Sequence, residues 1–270
     1  MADRMSRALL DRLLPGAVER AGAPGGLRFT ERQLYHELCR AAWPRLPRRP
    51  LFTVPTVVPY PAFRSALRRY GEIPGLLTRT PSHARPAGRH TTEPDLFDYG
   101  LPRLLIAESD AVAQMLRANG VPMESACPVL SAAELPLDTR VVDMLALASG
   151  TIYLLHDASP AGLTFPARFT AGTEVPPGVR VVPLGLRPRQ AGALHLAHHT
   201  GFKPDMPVPH LDSWERAWLR RGRAVDVESV RPAALLRTVH RLVRAVRPPR
   251  SALTELRTAR SAGFLTWPAT

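Results

Sequence analysis

Two acids in this chain each stand where an apolar run stops. Glu108 follows Leu104-Leu105-Ile106-Ala107, and Asp157 follows Thr151-Ile152-Tyr153-Leu154-Leu155 by way of His156. Short continuous apolar runs suit strands buried on both faces, as in a parallel sheet. Both carboxylates then project from carboxyl ends of strands, the edge of an open α/β sheet where ligands and chemistry gather. Paired there, they can serve as acid and base or hold Mg²⁺, which prefers oxygen ligands and keeps part of its water shell. Ser159 offers the same set a neutral hydroxyl, one negative charge fewer than a third acid. His195, His198 and His199 form another candidate set, because their spacing places them on one face of a helix. No acid completes a zinc motif of the His-Glu-x-x-His kind, so they read as surface or packing histidines.

The elements that must position these groups are legible around them. Ser109 is placed to cap a helix with Val112, Met115 and Leu116 inward, and Asn119-Gly120 ends it. Val129-Leu130 and Val179 to Leu186 read as further strands, and Val141 to Ala148 as a helix on the sheet. Thr30 and Gln33 have the spacing of a capping box. The helix they open buries Leu34, Tyr35, Leu38, Ala41 and Ala42 and turns Arg32, His36 and Arg40 outward. Ala62 to Tyr70 predicts a short helix with Phe63 and Leu67 inward and Arg64, Arg68 and Arg69 outward. Residues 1–22 read as an amphipathic helix that Pro15-Gly16 can interrupt, with Gly22 to Gly26 as a joint. Six prolines between 44 and 61 argue for irregular loops around a strand at Phe52 to Val58. Thr78 to Asp95 reads as a linker and Met206 to His210 as a loop. Near the end, Trp214, Trp218 and Leu219 form an apolar stripe, and Ala224 to Val230 predicts a strand. Pro232 starts a helix with Leu235, Leu236, Val239, Leu242, Val243 and Val246 on one face and Arg237, Arg241 and Arg244 on the other.

The net charge of +13 over 270 residues is distributed unevenly. Residues 1–90 carry a net +10, residues 91–215 a net −6 and residues 216–270 a net +9. Basic flanks attract a phosphate backbone, and an acidic centre suits a cation. Two cysteines are too few for a disulfide framework. No apolar run approaches the ~20 residues that span a bilayer, and the first residues lack the apolar core of a secretory signal. A cytoplasmic protein without a membrane partner is expected.

Glu after one strand and Asp-x-x-Pro-x-Gly after a later one resembles the Toprim domain of topoisomerases, primases and related nucleases. That resemblance implies a Mg²⁺ site at Glu108, Asp157 and Ser159, with Ser159 in place of the family's second Asp. Phe29 to Arg40 is similar to the winged-helix segment of the topoisomerase VI A subunit and its relatives. Arg32, Gln33, Leu34 and Tyr35 fill the first four places of that pattern, and His36 stands where the family has its DNA-attacking tyrosine. The resemblance therefore implies duplex DNA as partner, contacted by Arg32, His36, Arg40, Arg64, Arg68 and Arg69. A homodimer or a partner subunit is a further expected partner, and because the sequence carries no ATPase signature, ATP-driven strand passage would need another chain.

The expected architecture is α/β. It has a helical extension over 1–27, a winged-helix-like DNA-binding domain over 28–90, a Toprim-like Rossmannoid sheet flanked by helices over 91–250, and a tail over 251–270. The expected role is DNA binding with a weakened Mg²⁺-dependent cleaving site. A non-catalytic DNA-binding or assembly protein on the same scaffold is the alternative. A Rossmann-like small-molecule enzyme is disfavoured, because no Gly-x-Gly-x-x-Gly follows a strand.

Overall fold

The computed structural model describes residues 2–43, 51–78, 100–201 and 211–244. Three helices come first: α1 (Ala2–Gly22), α2 (Glu31–Ala42) and, after strand β1 (Val54–Pro55), α3 (Tyr60–Tyr70). The middle of the chain alternates strand and helix. It runs β2 (Arg103–Ala107), α4 (Asp110–Ala118), α5 (Val121–Ser125), β3 (Val129–Ser131), α6 (Thr139–Leu147), β4 (Thr151–Leu155), α7 (Pro160–Gly172) and β5 (Arg180–Gly185). The last part holds α8 (Pro188–Ala193), β6 (Ala197–Thr200), α9 (Ser213–Arg220), β7 (Arg223–Ala224) and α10 (Pro232–Val243).

Strands β3, β2, β4 and β5 form, in that order, a parallel sheet. The continuous apolar runs that announced it have a direct cause. Side chains alternate across a strand, so a sheet covered on both faces needs apolar residues at every position. Leu105, Ala107, Tyr153 and Leu155 pack on one face with Met115 and Leu116 of α4 and Leu235 and Val239 of α10. Leu104, Ile106, Ile152 and Leu154 pack on the other with Leu145 of α6 and Phe165 and Phe169 of α7. The mixed α/β class with a parallel sheet is as the sequence reading has it.

The N-terminal helices share a core of their own, in which Leu10, Leu14, Ala17 and Ala21 of α1 meet Leu34 and Leu38 of α2 and Phe63 and Ala66 of α3. Helix α1 is thus built into one core with α2 and α3, and it runs through Pro15 without a break. Tyr35 lies in this core and donates its hydroxyl to the Val58 carbonyl at 2.7 Å. Among the described residues strand β1 has no partner strand in its own segment. It pairs in parallel with β6, which pairs antiparallel with β7. The Trp218 indole donates to Thr53 Oγ at 3.0 Å and fixes the same junction.

Two further expectations change. His198 and His199 lie on β6, with His195 just before it at a positive φ of 51°, so the three histidines do not share a helix face. The segment from Ala224 to Val230 is only briefly a strand and then makes a 3-10 turn at Val227–Ser229. Residues 44–50 of the proline-rich 44–61 stretch, most of the 78–95 linker, the 206–210 loop and the 251–270 tail lie outside the described residues.

Candidate functional site

Glu108 and Asp157 meet at the carboxyl edge of the two central strands. The register sets Ala107 beside Leu155, and the Glu108 amide donates to the Leu155 carbonyl at 2.8 Å. The chain then turns, and the Asp157 amide donates to Glu108 Oε2 at 3.2 Å. The Asp157 carboxylate accepts in turn from the Val227 amide at 2.7 Å. Ser159 caps α7 by accepting from the Gly162 amide at 2.9 Å. Gly162 has its own reason to be glycine, because a Cβ there would stand 2.3 Å from the Asp157 carbonyl oxygen. The Asp-x-x-Pro-x-Gly spacing is therefore a helix start pressed against the loop that carries the acid.

Two acids that the sequence reading did not assign complete the centre. Ala158 and Val225 exchange backbone hydrogen bonds at 2.9 and 3.0 Å, which lays the 225–228 segment along the Asp157 loop. Asp226 and Glu228 arrive with it, and both act on the charge of Asp157. Glu228 accepts from the Thr30 hydroxyl at 2.5 Å, at the N-terminus of α2 where a carboxylate is favoured. The sequence signal was the alternation Val225-Asp226-Val227-Glu228, in which both valines are buried and two acids stand inside an otherwise basic segment.

The polar face of α2 is where the structure departs most from the expected DNA surface. Arg32 Nη1 lies 2.7 Å from Asp226 Oδ2. His36 is 1% exposed, and its Nε2 stands 3.9 Å from the same oxygen. Arg40 binds the buried Glu37 at 2.6 Å and the Ser229 carbonyl at 2.7 Å. This face is turned onto the 226–231 segment, so His36 is neither solvated nor free to meet DNA, Arg40 is held in a part-buried pair, and Arg32 pairs with Asp226 while its side chain stays half exposed. Arg64, Arg68 and Arg69 are exposed as expected; Arg64 pairs with Glu31 at 3.2 Å and Arg69 with Asp11 at 2.7 Å. Surface pairs of this kind are worth about 0–1 kcal/mol, so both guanidiniums remain available to a stronger anion.

The charges do not titrate alike. Burial, then the Asp226 charge, pushes the Asp157 carboxyl up to about 8; Glu108 and Glu228 act in the same direction, and the Val227 N–H opposes them. Burial also raises Glu108, against the Asp157 N–H and Arg168, whose guanidinium lies 3.7 Å away. Burial acts to raise Asp226 as well, but His36, His199 and Arg32 around it win and bring it to about 2. His36 is driven toward its neutral form, because its burial outweighs the attraction of Asp226. The centre therefore sets Asp226, kept ionised by its cationic neighbours, beside Asp157 and Glu108, whose affinity for protons is raised by burial.

Among the described residues no group of three or more His, Cys, Asp and Glu side chains is arranged to enclose a metal ion. The donors on hand, Glu108 and Asp157, are hard oxygens. They fit a cation that takes one or two carboxylates and completes its shell with water and phosphate. No helix among the described residues is long and apolar enough to cross a membrane. The chain matches no protein-family model, no curated protein and no solved structure.

Proposed function

We propose that this protein binds duplex DNA and that Glu108 and Asp157 support slow, Mg²⁺-dependent hydrolysis of a phosphodiester. The observation that carries the reading is the contact between the Asp157 amide and Glu108 Oε2 at the carboxyl edge of adjacent parallel strands. It brings together two acids that lie 49 positions apart in sequence. Mg²⁺, when bound, would supply positive charge to the phosphate and to the attacking oxygen. Asp157 would anchor it with Glu108 beside it, and the raised affinity of both for protons marks them as carboxylates that gain from a nearby cation.

Water is the nucleophile in this reading. Tyr35 is buried with its hydroxyl committed to Val58, and His36 is closed off against Asp226. Water oxygen forms a bond to phosphorus as the ester P–O bond breaks. Glu108, whose carboxylate has a raised pKa, takes the proton from that water, and the departing oxygen takes one from solvent. Arg64, Arg68 and Arg69 on the exposed face of α3 provide the phosphate contacts that hold the duplex.

A second reading rests on a different observation. Arg32 on Asp226 and Arg168 beside Glu108 neutralise part of the acid centre from within the chain. On this reading the centre cements α2 to the sheet, and the protein binds DNA without cutting it. End-labelled duplex incubated with wild type and Asp157→Asn in Mg²⁺, and separately in EDTA, tests both. The cleavage reading expects slow nicking that requires Mg²⁺ and is lost in Asp157→Asn, with no covalent protein–DNA adduct. Binding without nicking, and equal Mg²⁺ affinity of the two proteins by calorimetry, would establish the second reading instead.

A further inference from the structure

The C-terminal end of α1, the short α5 and the first turns of α10 enclose a cleft of about 590 Å³ that contains neither Glu108 nor Asp157. Its walls belong to different parts of the fold, and Asn119 ties them together. The Asn119 side chain accepts from the Arg28 amide at 2.9 Å and donates to the Arg28 carbonyl at 2.8 Å, so the chain leaving α1 is bound to the end of α4.

Arg20, Arg231, Arg237 and His240 all line this space, against one acid, Glu124. Arg231 has a distant partner in Glu37, at 3.6 Å. Arg20 and Arg237 are exposed, and neither has a carboxylate at ion-pair distance among the described residues. Gathering guanidiniums round one concavity raises their mutual repulsion, and an anion seated among them relieves it. Arginine also offers a planar fork of donors that matches phosphate oxygens. Below the cations the lining is apolar, with Leu27, Val121 and Leu236. The volume lies in the range of small-molecule sites, which combine such an apolar floor with a few convergent polar groups.

We propose that this cleft binds a phosphorylated ligand of mononucleotide size, its phosphate on Arg20 and Arg237 and its uncharged body on the apolar floor. Such a group can be a free nucleotide or the 5′-phosphorylated end of a nucleic-acid strand. Calorimetric titration of the full chain in EDTA separates this site from the metal-dependent centre. The probes are AMP, adenosine, and a short single strand with and without its 5′ phosphate. AMP or the phosphorylated strand is expected to bind, with adenosine and the unphosphorylated strand weaker by about tenfold or more. Tighter binding of the phosphorylated strand than of AMP identifies a strand end as the ligand, and the reverse order a free nucleotide. Arg20→Ala and Arg237→Ala remove exposed side chains, so both should keep the wild-type melting temperature while each weakens binding about tenfold. Arg237→Lys keeps the charge without the fork and should fall between. Equal binding of AMP and adenosine, unchanged affinity in both alanine variants, or no binding of any probe at millimolar concentration would overturn the proposal.

Discussion

Asp157→Asn should make the protein more stable at pH 8 and unable to gain stability from Mg²⁺. Asparagine keeps an oxygen that can accept from the Val227 amide at 2.7 Å, so the local hydrogen bond survives while the charge disappears. The Asp157 carboxyl is pushed from 3.8 to about 8 by burial and by Asp226, Glu108 and Glu228. Below pH 4 both folded and unfolded chains hold the proton, and the group contributes no slope. Between pH 4 and 8 the unfolded chain has lost the proton while the folded chain keeps it, so stability falls as pH rises through that window. At about 1.36 kcal/mol per pH unit, a window roughly four units wide sets an upper bound of about 6 kcal/mol. Asp157 keeps some exposed surface, and the effective dielectric around such sites is well above that of a dry interior, which brings the cost to a few kcal/mol, on the order of 2–3. Urea unfolding of wild type and Asp157→Asn at pH 5, 6, 7 and 8 in EDTA measures it, because other titrating groups cancel in the difference. The gap between the two proteins should widen from pH 5 to pH 8 in favour of asparagine, and Mg²⁺ should narrow it by stabilising only the wild type. A gap that stays constant across the four pH values would refute the clustered-carboxylate argument.

Arg32→Ala should act at the opposite end of the scale. Asp226 is held at about 2, so its contribution is present above pH 4 and is lost as pH falls from 4 toward 2; without Arg32 the acid limb of the stability curve should become shallower. Gly162→Ala places a methyl group against the Asp157 backbone and should cost about 2 kcal/mol or more in urea unfolding; a melt equal to wild type would show that the loop yields freely. Replacing Arg64, Arg68 and Arg69 together by alanine should weaken duplex binding and reduce the log–log salt slope by about 0.9 for each phosphate that the variant no longer neutralises. An unchanged slope would move the DNA surface away from α3.

The sheet and its two central acids were legible because both depend on short-range patterns. Unbroken apolar runs at Leu104–Ala107 and Thr151–Leu155 have few solutions other than strands covered on both faces. Once the strands are parallel neighbours, residues just beyond their carboxyl ends come together without further information. The helix caps at Thr30 and Ser109 are equally local. The histidines at 195, 198 and 199 misled for the complementary reason. Only two of them lie on the short strand, where His198 turns inward and His199 stays partly open, while His195 precedes it.

What the sequence concealed was the destination of the polar face of α2. Periodicity shows that Arg32, His36 and Arg40 share a face, but water and a buried layer of opposite charge produce the same pattern. The deciding information lies far along the chain, in Asp226 and the Ser229 carbonyl, 194 and 189 positions from their arginine partners. The pairing of Ala158 with Val225 and the Val227–Asp157 hydrogen bond bring that segment to the acid edge. The same pairing alters the chemistry expected of the site. With Ser159 spent on a helix cap, the third negative charge near Glu108 and Asp157 comes from Asp226, and Asp226 is itself held by Arg32. A cation entering this centre would meet two carboxylates that gain from it and a third already neutralised by an arginine. Mg²⁺ affinity should therefore rise in Arg32→Ala, provided the variant stays folded, and calorimetric titration beside Asp157→Asn reads it directly. Unchanged affinity in Arg32→Ala would mean that Asp226 serves the junction with α2 and takes no part in holding a cation.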